Sequence, residues 1–373
     1  MRDVTFWVAQ HVFGATGVDV AIGGGEPLFF WVQTFWILIV ALAITAIWSI
    51  VDRRRENYVV LHKWFRVFIR FALAAAMLEY GMTKLIPTQF PPPSLETLVT
   101  PVGDLTLSAL LWTSIGASPA YEIFTGCIEV LGGILLLLPK TTMLGALVSF
   151  AAMTQVFVLN MTYDVGLKLV SFHLILLAVF LLAPDFSRLV DFFLRERAPV
   201  PSRHSPLFAT STNSIALWLQ VAFGLYLIGM YAYMNVTFWN VAGAKSPRSP
   251  LYGIWDVEEV SVDQQASPRE LHDYDLRWRR VIFDAPDAVT IQRTDDSFAR
   301  YKASVDPYGK KIAMTKRNSK NWNASFTFTR PSPDHLILEG DMDGHKVTAD
   351  LQLVEFDTLR VLNSGFRWVR PQD

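Results

Sequence analysis

At 373 residues, 51% of them hydrophobic and with a mean hydropathy of +0.29, the chain is too apolar for an ordinary soluble protein of its length. A formal net charge of −1 leaves no electrostatic footprint for nucleic acid. The single cysteine, Cys127, excludes an intramolecular disulfide, a four-thiolate metal site and dithiol exchange carried by this chain alone.

Residues 1–28 lack a compact apolar core and end in Gly23-Gly24-Gly25-Glu26, so they read as an outer N-terminal segment rather than a cleavable signal peptide. Six segments within 29–236 then reach the length needed to cross hydrocarbon. They run from about Phe29 to Val51, Phe65 to Ile86, Tyr121 to Leu138, Thr142 to Met161, Leu167 to Leu182 and Ile215 to Asn235. The second is interrupted by Arg66, Arg70, Glu79 and Lys84; Arg66 and Arg70 are expected to snorkel at one end, and Pro87 closes the other. The connection 87–120 carries Phe90-Pro91-Pro92-Pro93 and then the apolar stretch Leu105 to Ile115, too short to span and read as an interfacial or re-entrant helix.

Basic residues set the orientation. Arg53, Arg54, Arg55, Lys63, Arg66 and Arg70 cluster around one pair of helix ends, and Arg188, Arg195, Arg197 and Arg203 fill the loop after the fifth span. Those loops are expected in the cytoplasm, whereas 87–120 and 162–166, almost free of Lys and Arg, are expected outside. The expectation is a multi-pass protein of the cytoplasmic (inner) membrane with its N-terminus and C-terminal domain periplasmic.

After a linker at 237–250, residues 251–373 change character to short alternating runs, such as Val347-Thr348-Ala349-Asp350-Leu351-Gln352-Leu353, broken by Asp306-Pro307-Tyr308-Gly309 and Asp341-Met342-Asp343-Gly344. Eight or nine strands at this spacing predict an antiparallel barrel or sandwich. The fold class is therefore a membrane all-α bundle joined to a β-domain. Gly253-Ile254-Trp255 resembles the Gly-x-Trp of lipocalin-like barrels, in which the tryptophan plugs the floor beneath an arginine of the last strand, here Arg360 or Arg367. In the plainer reading Trp255, Trp278 and Trp368 are core residues of an antiparallel sheet.

Ionisable groups inside spans are costly and normally face protein or water. Counted inward at about 1.5 Å per residue, Glu79, Glu129 and His173 fall at a similar depth of roughly 10 to 15 Å. Nearer the outer surface lie Tyr80, Lys84, Glu122, Gln155, Asn160, Asp164 and Lys168. In the third span Glu122, Gly126, Glu129 and Gly133 form one stripe, whose glycines admit a close neighbour. The functional reading is a pocket in which Glu129 or Glu79 exchanges a proton with His173 while Lys84 or Lys168 holds an anionic or carbonyl oxygen. The structural alternative has carboxylates and lysines pairing to fix helix register, with His173 donating to a backbone carbonyl. A lone histidine within the spans excludes bis-histidine haem ligation, and no dinucleotide, Walker, zincin or nucleophile-elbow motif is present.

Tyr80-Gly81-x-x-Lys84, Phe90 to Pro93, Gly126-x-x-Glu129-x-x-Gly132-Gly133 and Ala183-Pro184-Asp185 resemble the DoxX-like family of bacterial membrane proteins over residues 65–190. The resemblance implies a four-helix core to which the first span, the last span and the β-domain are additions. Founding members are subunits of a quinone-reducing thiosulfate oxidoreductase, and other relatives look like scaffolds of membrane redox complexes or assembly factors. By that resemblance the chain is expected to be a subunit or scaffold of a membrane redox complex that handles a quinone or another lipophilic ligand such as a lipid, with a protein partner on the outer side. Tyr80, Lys84, Glu129 and His173 would be the polar contacts. The alternative is a non-enzymatic, membrane-anchored assembly factor or ligand-binding protein.

Overall fold

The computed structural model describes residues 1–18, 26–198, 210–241, 243, 245–263, 265–266, 277–316, 319, 322–363 and 368–369. Two compact units emerge: Met1–Phe90 with Thr106–Trp239, and Pro91–Leu105 with Asn240–Asp373.

The helical unit contains α1 (Arg2–Phe13), α2 (Leu28–Val51) and α3 (Val59–Leu85). α4 (Leu95–Val99) belongs to the other unit, and α5 (Leu107–Gly116), α6 (Pro119–Leu137), α7 (Thr142–Thr162), α8 (Lys168–Leu182), α9 (Phe186–Phe193) and α10 (Thr210–Val241) complete the first. Among the described residues, five helical stretches are long and apolar enough to cross a membrane. They begin at Leu28, Pro119, Pro139, Lys168 and Ser214, matching five of the six expected spans. α3, although 27 residues long, falls outside on composition because of its five charged side chains, Lys63, Arg66, Arg70, Glu79 and Lys84.

Hydrogen bonds between helix ends show which ends lie together. Glu26, just before α2, accepts from the Leu169 N–H at the start of α8 (2.9 Å), a carboxylate at a helix N-terminus. Thr88, just after α3, donates to Asn235 near the end of α10 (2.8 Å), and Phe90 N–H donates to Glu122 at the start of α6 (3.1 Å). One end of the bundle therefore gathers the starts of α2, α6 and α8 with the finishes of α3, α7 and α10. At the opposite end Arg66, in the first half of α3, donates to the Leu181 carbonyl of α8 (3.2 Å).

In the N-terminal segment α1 buries Thr5, Val8 and Ala9 against α2, and Trp36 donates to Thr5 Oγ1 (3.0 Å). Two expectations are corrected here. Arg70 does not snorkel: its side chain turns inward to Gln220 of α10 and is 6% exposed. The last span, expected to end at Asn235, runs on as helix to Val241.

In the second unit β1 (Gly253–Val262), β2 (Gln265–Ala266), β3 (Trp278–Phe283), β4 (Ala288–Arg293) and β5 (Phe298–Asp306) precede β6 (Lys311–Thr315), β7 (Asn323–Ser332), β8 (His335–Met342) and β9 (His345–Leu353). Each neighbours the next antiparallel, except that β3 pairs with β1 and the short β2 hangs on the end of β1. β1 also pairs with β9, from Trp255↔Leu353 to Val262↔Val347, and closes eight strands into a barrel. The choice between barrel and sandwich is thereby decided. Strict alternation, as in β7 with Ala324, Phe326 and Phe328 buried between exposed neighbours, sends one face inward.

Trp255 is fully buried, and its indole donates to the Leu251 carbonyl (3.0 Å). The guanidinium over its ring is that of Arg330 on β7, 5.5 Å from the centroid, and not one from beyond the last strand. Arg360 stands exposed on α11 (Arg360–Asn363), past the barrel wall, and Arg367 lies outside the described residues. Trp278 is core, but Trp368 is 91% exposed and is not. α4, capped by Ser94, lays Leu95 over Ile254 and Ile282 on the outer face of the wall and fixes itself through Glu96 to Arg300 and Leu95 N–H to Asp284 (3.1 Å).

Candidate functional site: an apolar cavity with a buried ion pair in its wall

α3 and α6 touch through glycine. A Cβ on Gly126 would meet the Leu85 nitrogen at 2.5 Å and the Gly81 carbonyl at 2.8 Å, and one on Gly81 would meet Val130 at 2.7 Å. Both residues thus let the two backbones approach as no larger residue would. That approach sets Lys84 beside Glu129. Lys84 Nζ lies 2.6 Å from each carboxylate oxygen, and the two side chains are 7% and 2% exposed.

The pair forms part of the wall of a cavity within the helical unit enclosing about 740 Å³ not filled by atoms, its open mouth included. The remaining wall is mostly apolar: Phe90 after α3, Trp112 and Ile115 on α5, Met153 and Leu159 on α7, and Leu174 on α8. Tyr80, Gln155 and Asn160 add polar atoms. Asn160 is itself held, donating to the Leu167 carbonyl and to Ser171 Oγ (3.2 Å each). Glu122 lies behind this wall, fully buried, with one oxygen on the Phe90 N–H and the other without a partner.

The remaining expected members do not join. Glu79 is exposed, with Tyr231 of α10 as its neighbour (3.5 Å). His173 is exposed and bonds through Nδ1 to the Leu169 carbonyl of its own helix (2.6 Å), as the structural alternative has it. Asp164 and Lys168 pair with one another at 2.5 Å across the turn from α7 into α8, where Asp164 adopts φ 52°. The reason is helical phase. At about 100° per residue, Glu79 sits one step round from Tyr80, and His173 two steps round from Ser171, so equal depth placed them on other faces. Among the described residues no three His, Cys, Asp or Glu side chains converge as metal ligands would.

No family model matches the sequence, and no solved structure matches it. Over 139 residues the chain is 30% identical to the uncharacterized protein YwoB of Bacillus subtilis (strain 168), a stretch covering 37% of this chain and 84% of that protein. The chain belongs to the YwoB family. YwoB carries no assigned activity, so membership supplies kinship and no chemistry, and the chemistry of this YwoB relative has to come from the cavity.

Sequence reasoning missed Phe90, Trp112, Thr125 and Ser171 as cavity-wall residues. Two left a signal: Thr125 stands four before Glu129 on α6, and Ser171 three before Leu174 on α8. Phe90 and Trp112 left none, because they meet (ring centroids 4.8 Å apart) only after the chain has departed at Pro91 and returned at Thr106. Chemically, the ammonium of Lys84 has three donors and the carboxylate accepts in return. Together they make a neutral polar spot in an apolar chamber. That arrangement suits a molecule with an apolar body and a carbonyl or hydroxyl head.

Proposed function

We propose that this chain is a membrane-embedded binding protein for a lipophilic carbonyl compound of the quinone class, serving a membrane redox complex as subunit or scaffold. The observation that carries the reading is the Lys84–Glu129 pair in the wall of an otherwise apolar cavity. In the proposed complex Lys84 donates to a quinone oxygen and Glu129 exchanges the proton that accompanies reduction. Both groups handle protons and not electrons, so a partner supplies the electrons. The basic clusters 53–55 and 188–197 support an inner-membrane placement with the opposite end of the bundle periplasmic.

The test is binding of a soluble quinone analogue to full-length protein in nanodiscs, followed by quenching of intrinsic tryptophan fluorescence. Saturable binding is expected. Glu129→Gln and Lys84→Met should each weaken it about tenfold or more, the effect of roughly 1.4 kcal/mol. Absence of binding, or binding by both variants as tight as that of the unsubstituted protein, overturns the reading.

A second reading, a non-enzymatic assembly factor, draws on the barrel. Its interior is occupied by its own side chains, which leaves the outer surface as its means of acting on a partner. Under that reading Glu129→Gln leaves the function of the complex intact while substitutions on the barrel surface abolish it.

A further inference from the structure

A second buried charge lies in the other half of the bundle, and unlike Lys84 it has no counter-ion among the described residues. Arg70 on α3 is 6% exposed. One of its terminal nitrogens donates to Gln220 Oε1 on α10, its Nε has no acceptor, and its guanidinium lies 5.0 Å from the centroid of Phe71. Arg66, one turn earlier and half-buried, meets among the described residues only a neutral acceptor too, the Leu181 carbonyl of α8. Two guanidiniums at i, i+4 on one helix repel.

The described carboxylates at this end are engaged elsewhere. Asp52 pairs with Arg55, Asp185 with Arg188 and Asp191 with Arg195, while Glu56 and Glu196 are exposed. A guanidinium removed from water and faced only by an amide carries a desolvation cost that a dipole does not offset; an anion does.

The geometry points to a binding site for a phosphate oxyanion at Arg70 and Gln220, between α3 and α10, with Arg66 one turn away on the side of α8, filled in the membrane by the head group of an anionic lipid. The guanidinium fork matches two phosphate oxygens, and basic recesses between helices at this face of a membrane suit acidic head groups. Around the arginines, Phe68, Trp218, Leu219 and Phe223 are between 47% and 72% exposed and offer apolar surface for acyl chains. This site is independent of the cavity and of the quinone reading, since it uses none of the same side chains.

The experiment compares full-length protein in nanodiscs of phosphatidylcholine, of phosphatidylcholine with phosphatidylglycerol, and of phosphatidylcholine with inorganic phosphate added. Unfolding temperature and lipid adducts in native mass spectra are the readouts. Phosphatidylglycerol should raise the unfolding temperature and remain bound after detergent release, and Arg70→Gln should lose both effects. An equal rise with inorganic phosphate supports the site and assigns its occupant to solution.

Should Arg70→Gln fail to fold, Gln220→Glu decides. It places a carboxylate on the guanidinium, so it should stabilise the protein in pure phosphatidylcholine and abolish the preference for phosphatidylglycerol. The proposal is overturned by equal unfolding temperatures in all three nanodiscs, by an Arg70→Gln variant that keeps the preference, or by a Gln220→Glu variant that keeps it.

Discussion

The barrel and the bundle both enclose an interior, but they fill it differently. Inside the barrel, Trp255, Phe283, Phe326, Leu336, Ala349 and their neighbours occupy the space with their own apolar side chains, and the strand alternation delivers them there residue by residue. Inside the bundle, the helices that touch most closely do so through Gly81, Gly126 and Gly133, and the space beside them is left open with a lysine and a glutamate in its wall. A filled interior stabilises, whereas an open one lined by a paired charge costs stability, and under the proposed function that cost is offset by a bound ligand. The same contrast recurs among ion pairs. Arg300–Glu96 on the barrel wall is water-exposed on the arginine side (67%), whereas Lys84–Glu129 is buried on both. Removing half of the first leaves a solvated charge, and removing half of the second strands a buried one.

The sharpest way to break the comparison is at its two centres. Trp255→Ala should cost the barrel about 3–5 kcal/mol, read as loss of near-ultraviolet circular dichroism and a lowered unfolding midpoint, with quinone binding by the bundle retained. Glu129→Ala should cost the bundle a comparable 3–5 kcal/mol or so by orphaning Lys84. The double substitution Lys84→Met with Glu129→Leu should restore most of that stability and still lack quinone binding, which separates a functional pair from a structural one. Gly126→Ala comes next: its Cβ collides with backbone, so α3 and α6 must part, at about 1–3 kcal/mol and with weakened ligand binding in the same assay.

A smaller effect tests the docking of α4 on the barrel. Burial raises the Asp284 carboxyl above the ordinary range, against the Leu95 N–H that favours its charged form. Its folded value therefore exceeds its unfolded one, and the folded state holds the proton more tightly. Stability from this group is present below the unfolded value and declines as pH rises through the folded value. Asp284→Asn should flatten that decline, raising the unfolding midpoint at neutral pH while leaving it unchanged in acid. The smallest effect is at His173, where replacement by alanine should shift both stability and quinone binding by less than about 0.5 kcal/mol. A large loss there would return the histidine to the site.

Much of the fold was legible because its signals are local. Twenty-odd apolar residues in a row report a helix for hydrocarbon whatever surrounds them, and the alternation in Val347 to Leu353 reports a strand with one wet face. The glycine stripe on α6 was legible as a close contact for the same reason. The site was legible only in half. Tyr80, Lys84, Gln155, Asn160 and Glu129 line the cavity, but Glu79 and His173, chosen by depth, point away from it because depth says nothing about angle around the helix.

The sequence by itself thus determined which segments are apolar helices, where the strands lie, and that several charges must be sheltered, since each follows from the free energy of placing a residue in water or out of it. Only the tertiary structure decided which charges meet: Lys84 with Glu129 across a glycine contact, Arg70 with nothing stronger than Gln220, and β1 with β9 to turn a sheet into a barrel. Those pairings join residues far apart in the chain, and their partners are chosen by helix phase and strand register, which no single segment contains.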